Sequence, residues 1–133
     1  MANKHKGSNA EREVIHLFWS TGVWTACRVA GSGSMKYPAP DIIANCNGVN
    51  LAIECKCTKS DYQYLEVREV DELVEYARLA GARPLIAVRF IRSNWRFLSP
   101  QDLELAGKNY VITPKLAELR GLLFVDLVGS KGL

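Results

Sequence analysis

Val14, Ile15, Leu17 and Phe18 recur at the spacing of one helix face, after a polar start and ahead of Gly22. Ser8 with Glu11 three residues later has the form of a capping box, which sets the expected start of this helix at Ser8. Residues 23–30 read as a strand, and Gly31-Ser32-Gly33-Ser34 opens a loop that runs on to Pro38 and Pro40. Two strand-like runs, 41–46 and 49–57, flank Asn47-Gly48, the strongest short signal for a hairpin. Within 65–80, Val70, Leu73, Val74, Ala77 and Ala80 mark an amphipathic helix that Gly81 ends. Residues 84–90 have the apolar text of a central strand, and 95–98 supply its hairpin partner. Thr113-Pro114 opens a short helix that Gly121 closes. Residues 122–128 fit a strand and a helix equally well. The order predicts an α/β fold, a mixed sheet with helices packed against it.

A chain of 133 residues suits one domain spanning 1–133, and it shows no internal repeat, low-complexity tract or long linker. With 48% hydrophobic and 23% charged residues, collagen-like, coiled-coil and disordered classes are excluded. No run approaches the ~18 apolar residues of a membrane span, and the amino end lacks the apolar stretch of a secretory signal. Cys27, Cys46, Cys55 and Cys57 form no Cys-x-x-Cys pair and sit in strand-like text. They are expected as buried free thiols of an intracellular protein, ahead of disulfides or zinc. The net charge of +3 is unevenly spread: +3 over residues 1–60, −4 over 61–81 and +4 over 82–133. Basic ends that gather on one surface are compatible with a polyanionic partner.

The hairpin changes the picture most. With a two-residue turn, Cys46 opposes Val49 and every cross-strand pair sums to 95, so Asp41 faces Glu54. Alternation then puts Asp41, Glu54 and Lys56 on one face of the sheet. Ile42, Ala44, Cys46, Val49, Leu51, Ile53 and Cys55 collect on the other as an apolar surface. Directly opposed carboxylates repel and destabilise a sheet unless something offsets them. A divalent cation such as Mg²⁺ or Mn²⁺ would do so; so would a solvated edge hairpin in which Lys56 neutralises one acid.

Pro40-Asp41, twelve residues, then Glu54-Cys55-Lys56 resembles the PD-(D/E)xK nuclease signature. Around it, the blocks Lys6-Gly7-Ser8-Asn9-Ala10-Glu11-Arg12, Arg28 with Ser32-Gly33-Ser34, and Pro38-Ala39-Pro40-Asp41-Ile42-Ile43-Ala44 follow in order. Together they closely resemble the archaeal-type Holliday junction resolvases, sharply over residues 6–57 and more loosely beyond. Gly31 stands where some relatives carry another small residue.

The resemblance implies a restriction-endonuclease-like mixed sheet flanked by helices, in a single nuclease domain. Glu11, Asp41 and Glu54 would then be acidic metal ligands, joined by the backbone carbonyl of Cys55. Lys56 would be the catalytic lysine, its ammonium stabilising charge on the scissile phosphate or orienting the attacking water. Ser32 matches a serine that the family uses in cleavage. The cofactor would be Mg²⁺, with Mn²⁺ as a substitute, and hydrolysis would leave a 5′-phosphate and a 3′-hydroxyl. Lys4, Lys6, Arg12, Arg28, Ser32, Ser34 and Lys36 would contact DNA phosphates. The partners would be a four-way DNA junction and a second copy in a homodimer, with no membrane and no nucleotide cofactor. The setting would be cytoplasmic, at the nucleoid, in recombination and repair. Two other functions compete: the same chemistry on another DNA substrate, as in restriction or repair, and a non-catalytic junction-binding module. Tyr62 and Tyr64 are open between base stacking and a strand-edge or core place, Trp19, Trp24 and Trp95 read as core or interface, and His5 and His16 take no role.

Overall fold

The computed structural model of the chain describes residues 2–30 and 36–129, with backbone alone for residues 2–8. Val14 and Phe18, four residues apart, are wholly buried and anchor helix α1 (Ala2–Ser20) to the sheet. The helix begins six residues before the expected cap. Ser8 therefore lies in its interior rather than at its start, because nothing between Ala2 and Ser8 forbids helical backbone. At the other end Thr21 and Gly22 donate backbone hydrogen bonds to Phe18 and Trp19, and Gly22 takes the left-handed conformation.

Strand β1 (Thr25–Arg28) pairs antiparallel with β2 (Ile42–Cys46), which turns through Asn47-Gly48 into β3 (Val49–Thr58). Asn47 and Gly48 both have positive φ, 44° and 87°, as the tight hairpin turn requires. The register runs from Cys46↔Val49 to Ile42↔Ile53, the expected one. After β4 (Gln63–Glu66), helix α2 (Val67–Ala80) makes the crossover that lets β5 (Arg83–Phe90) lie parallel to β3. Strand β6 (Arg96–Leu98) returns antiparallel to β5, and a 3₁₀ turn (Pro100–Asp102) leads to β7 (Glu104–Ala106) and β8 (Asn109–Ile112). Helix α3 (Pro114–Arg120) starts where Thr113 Oγ1 accepts the Leu116 N–H, and it stops at Gly121, as predicted. Residues 122–128 use both of their options: strand β9 (Leu122–Leu123) pairs with β6, and α4 (Phe124–Gly129) follows.

The main sheet has the order β1-β2-β3-β5-β6-β9, and β4-β8-β7 form a second, three-stranded sheet that the sequence did not announce. Helix α1 packs on one face of the main sheet. There Val14, Phe18, Trp24, Ile42, Ala44, Leu51, Ile53, Leu85 and Phe97 form one core, with Cys46, Val49 and Cys55 packed against it. The opposite face buries Ala52, Ile86, Val88 and Leu98 against Val70, Leu73 and Ala77 of α2 and Leu116 of α3. Each fully buried Leu, Ile or Phe contributes about 1.5–3 kcal/mol, so these two layers hold the site strands rigidly in place.

Several details depart from the sequence reading. Helix α2 starts at Val67 because Leu65 belongs to β4, and Val74 is exposed rather than part of the buried face. All four cysteines are free, but Cys27 is exposed, since β1 is an edge strand, and the other three are only partly buried. No helix among the described residues is long and apolar enough to cross a membrane.

Candidate active site

Asp41 sits one residue before β2, fastened on both sides by backbone. Its N–H donates to the Ile53 carbonyl at 3.0 Å, and its carbonyl accepts the Val29 N–H at 2.9 Å. The next residue back, Pro40, has no N–H with which to continue the ladder. The β2–β3 register ends at Ile42↔Ile53, and beyond it the N–H of Cys55 donates to Oδ2 of Asp41 at 2.9 Å. The carboxylate thus takes the place of a missing ladder partner, beside Glu54 rather than squarely across from it. Glu54 and Lys56 follow along β3 on the same face, which α2 covers.

This arrangement strains the charges. Burial, and then the negative charge of Asp41, push the Glu54 carboxyl up to about 8, with Lys56 opposing the rise. Asp41 is also raised, chiefly by burial, against the Cys55 N–H and Lys56, which pull it down. Burial and their mutual repulsion oppose ionising both acids side by side. Their donors are all oxygen, they are adjacent, and their joint ionisation is opposed by burial. That is the chemistry a small hard divalent ion fits.

Lys56 Nζ lies 3.9 Å from Oε2 of Glu54. On its other side, 3.4 Å away, is the carboxylate of Glu69 from the first turn of α2. Sequence reading missed Glu69, although a signal exists. It falls on the inward stripe with Val70, Leu73 and Ala77, where a glutamate has no place unless something pairs with it.

Glu11 approaches from α1. Arg28 Nε donates to its Oε1 at 2.6 Å. Burial raises the Glu11 pKa and Arg28 opposes this, while the charge of Asp41 adds to the rise, so the two acids are within electrostatic reach. Among the described residues, no three His, Cys, Asp or Glu side chains converge closely enough to hold an ion by themselves. Ser32 and Ser34 lie outside the described residues, as do the side chains of Lys4 and Lys6. Arg12 and Lys36 are exposed, Arg12 donating to Asn9 Oδ1 at 3.4 Å and Lys36 lying over the Tyr37 ring. Tyr62 and Tyr64 are both exposed, their rings 6.3 Å apart, which removes them from the core. Trp24 and Trp95 are core residues, whereas Trp19 is exposed and donates its indole N–H to the Ala26 carbonyl at 2.8 Å. Glu13 accepts the Trp95 indole N–H at 3.2 Å and pairs with Arg89, tying α1 to the β5–β6 end of the sheet.

A family model described as archaeal Holliday junction resolvase (hjc) matches residues 2–131. The crossover junction endodeoxyribonuclease Hjc of Archaeoglobus fulgidus is 38% identical, covering 96% of this chain and 98% of its own length. That of Methanocaldococcus jannaschii is 30% identical, covering 93% and 87%. The related Hje of Saccharolobus solfataricus is 33% identical over 77% of each chain. The solved structure of A. fulgidus Hjc, described as a Holliday junction resolvase, superposes with a TM-score of 0.84, over 94% of this chain and 97% of that one.

Proposed function

The chain belongs to the archaeal Holliday junction resolvase family, and from that membership we propose that it is a metal-dependent endodeoxyribonuclease that resolves four-way DNA junctions by paired phosphodiester hydrolysis. The observation that carries the reading is the buried Asp41–Glu54 pair with Lys56 two residues on. A junction-binding module without chemistry gains nothing from two carboxylates that resist ionising side by side.

Asp41, Glu54 and the Cys55 carbonyl, with Glu11 beside them, would hold Mg²⁺ or Mn²⁺. Such an ion supplies Lewis-acid polarisation of the phosphate and a more acidic water. Lys56 presents its ammonium where negative charge grows on the phosphoryl oxygens. Asp41 keeps its carboxylate aimed because the Cys55 N–H fixes one oxygen, leaving the other for the ion. Ser32, flanked in sequence by Gly31 and Gly33, would supply a hydroxyl to a neighbouring phosphate. Arg12, Arg28 and Lys36, with Lys4, Lys6 and Ser34, bind the DNA backbone and supply most of the affinity. Two equivalent sites related by a two-fold axis, as in a homodimer, cut opposing strands.

Asp41→Asn tests the assignment cleanly. The amide oxygen can still accept the Cys55 N–H, so the fold survives, while a charged ligand is lost. Junction cleavage should fall by about 100-fold or more with junction binding unchanged. Cleavage near the wild-type rate would refute the role given to Asp41.

A further inference from the structure

Lys56 is paired with a carboxylate that lies outside the motif. Lys56 has four rotatable bonds and sits within reach of two carboxylates of different kinds. Glu54 belongs to the hairpin and stands beside Asp41, so a cation draws on it. Glu69 belongs to α2, approaches from the other side, and carries both oxygens at 3.4 Å from Nζ. Its Oε2 is buried and has no hydrogen-bond partner among the described residues, where Lys56 is the cation paired with this carboxylate. Glu69 is the third residue of α2, a position from which a glutamate often turns back to cap its own helix. Here it reaches across to the sheet instead. The backbone behind it is firm, because Val70, Leu73 and Ala77 press the same helix face onto β3 and β5.

We propose that Glu69 is a positioning residue for the cleavage reaction: it holds the Lys56 ammonium away from Glu54 and in line with the scissile phosphate. The inference rests on the nuclease reading above. Without Glu69, the nearest anion left to Lys56 is Glu54, and an ammonium folded onto Glu54 competes with the cation that this carboxylate should hold. A residue that acts through Lys56 cannot matter more than Lys56 does, which bounds the effect.

Two readouts on Glu69→Ala and Glu69→Gln test this. In single-turnover cleavage of a four-way junction with Mg²⁺, Glu69→Ala should be about 10- to 100-fold slower, and no slower than Lys56→Ala. Glu69→Gln, which keeps an acceptor and the side-chain volume, should recover part of the loss. Junction affinity measured in Ca²⁺ should stay within about twofold, because the phosphate contacts are untouched. Independently of cleavage, NMR relaxation of the Lys56 Cε methylene should show an ordered side chain in the wild type and a mobile one in Glu69→Ala. A Lys56 side chain equally ordered in both would overturn the proposal, as would a cleavage loss greater than that of Lys56→Ala. Should the wild-type protein cut no DNA at all, the nuclease reading falls, and the relaxation data still decide whether Glu69 holds Lys56.

Discussion

At the scale of single residues, the site is a problem of charge. Glu54 is held up to about 8, against roughly 4.3 for a free glutamate, because burial and Asp41 oppose its ionisation. The folded protein therefore binds a proton that the unfolded chain releases above about pH 4.3. The stability this contributes is fully present below that pH and is lost as pH rises through 8. The melting temperature of the metal-free protein should accordingly fall between pH 6 and pH 8.5. Mg²⁺ should raise it more at pH 8.5 than at pH 6, since the ion replaces the proton. A metal-free melting temperature that stays level or rises over this range would contradict the account of the pair. That Asp41, Glu54 and Lys56 lie near one another was legible in the sequence because a two-residue turn fixes strand register up to Ile42↔Ile53. Glu69 was not, because its meaning depends on which strand α2 covers, and no local pattern carries that.

At the scale of elements, local signals succeeded where one interaction decides the outcome. Asn47-Gly48 admits only a tight turn, and Thr113-Pro114 with Gly121 brackets α3 exactly. Ser8-Asn9-Ala10-Glu11 misled because a capping box reads the same inside a helix as at its start, and the residues before it are themselves helical. The short strand β7 escaped notice for a related reason: Glu104, Leu105 and Ala106 are all exposed, so no alternation marks it. The correction to α1 sharpens the question of Glu11. Glu11 does not cap the helix start, so what remains is an anchor for Arg28 or a ligand beside Asp41. Glu11→Gln separates these, since glutamine still accepts from Arg28 but is a poor ligand for a hard cation. The mutant should melt within a few degrees of wild type, bind junctions normally and cleave about 100-fold more slowly. Near-normal cleavage would leave Glu11 as the anchor of Arg28 alone.

At the scale of the whole molecule, the uneven charge of the sequence takes a definite form. Half of the acids of segment 61–81 are spent in and just before α2, where Arg68 pairs with Glu66 at the end of β4 and with Glu72, and Arg78 pairs with Glu75. Three of its acids are thereby matched by neighbouring arginines, while Glu69 turns inward to Lys56. The sheet order sets β3, which carries Glu54 and Lys56, between β2 and the parallel β5 in the interior of the main sheet. The central claim is that two such sites act together on a four-way junction with the help of a divalent ion. A supercoiled plasmid bearing an extruded cruciform tests it in one measurement, because paired cuts across the junction give a linear product and a single cut gives a relaxed circle. The account predicts linear product with Mg²⁺, none in EDTA, and no cutting of a control plasmid that lacks the cruciform. Relaxed circles alone, equal cutting of the control, or undiminished cleavage in EDTA would contradict it.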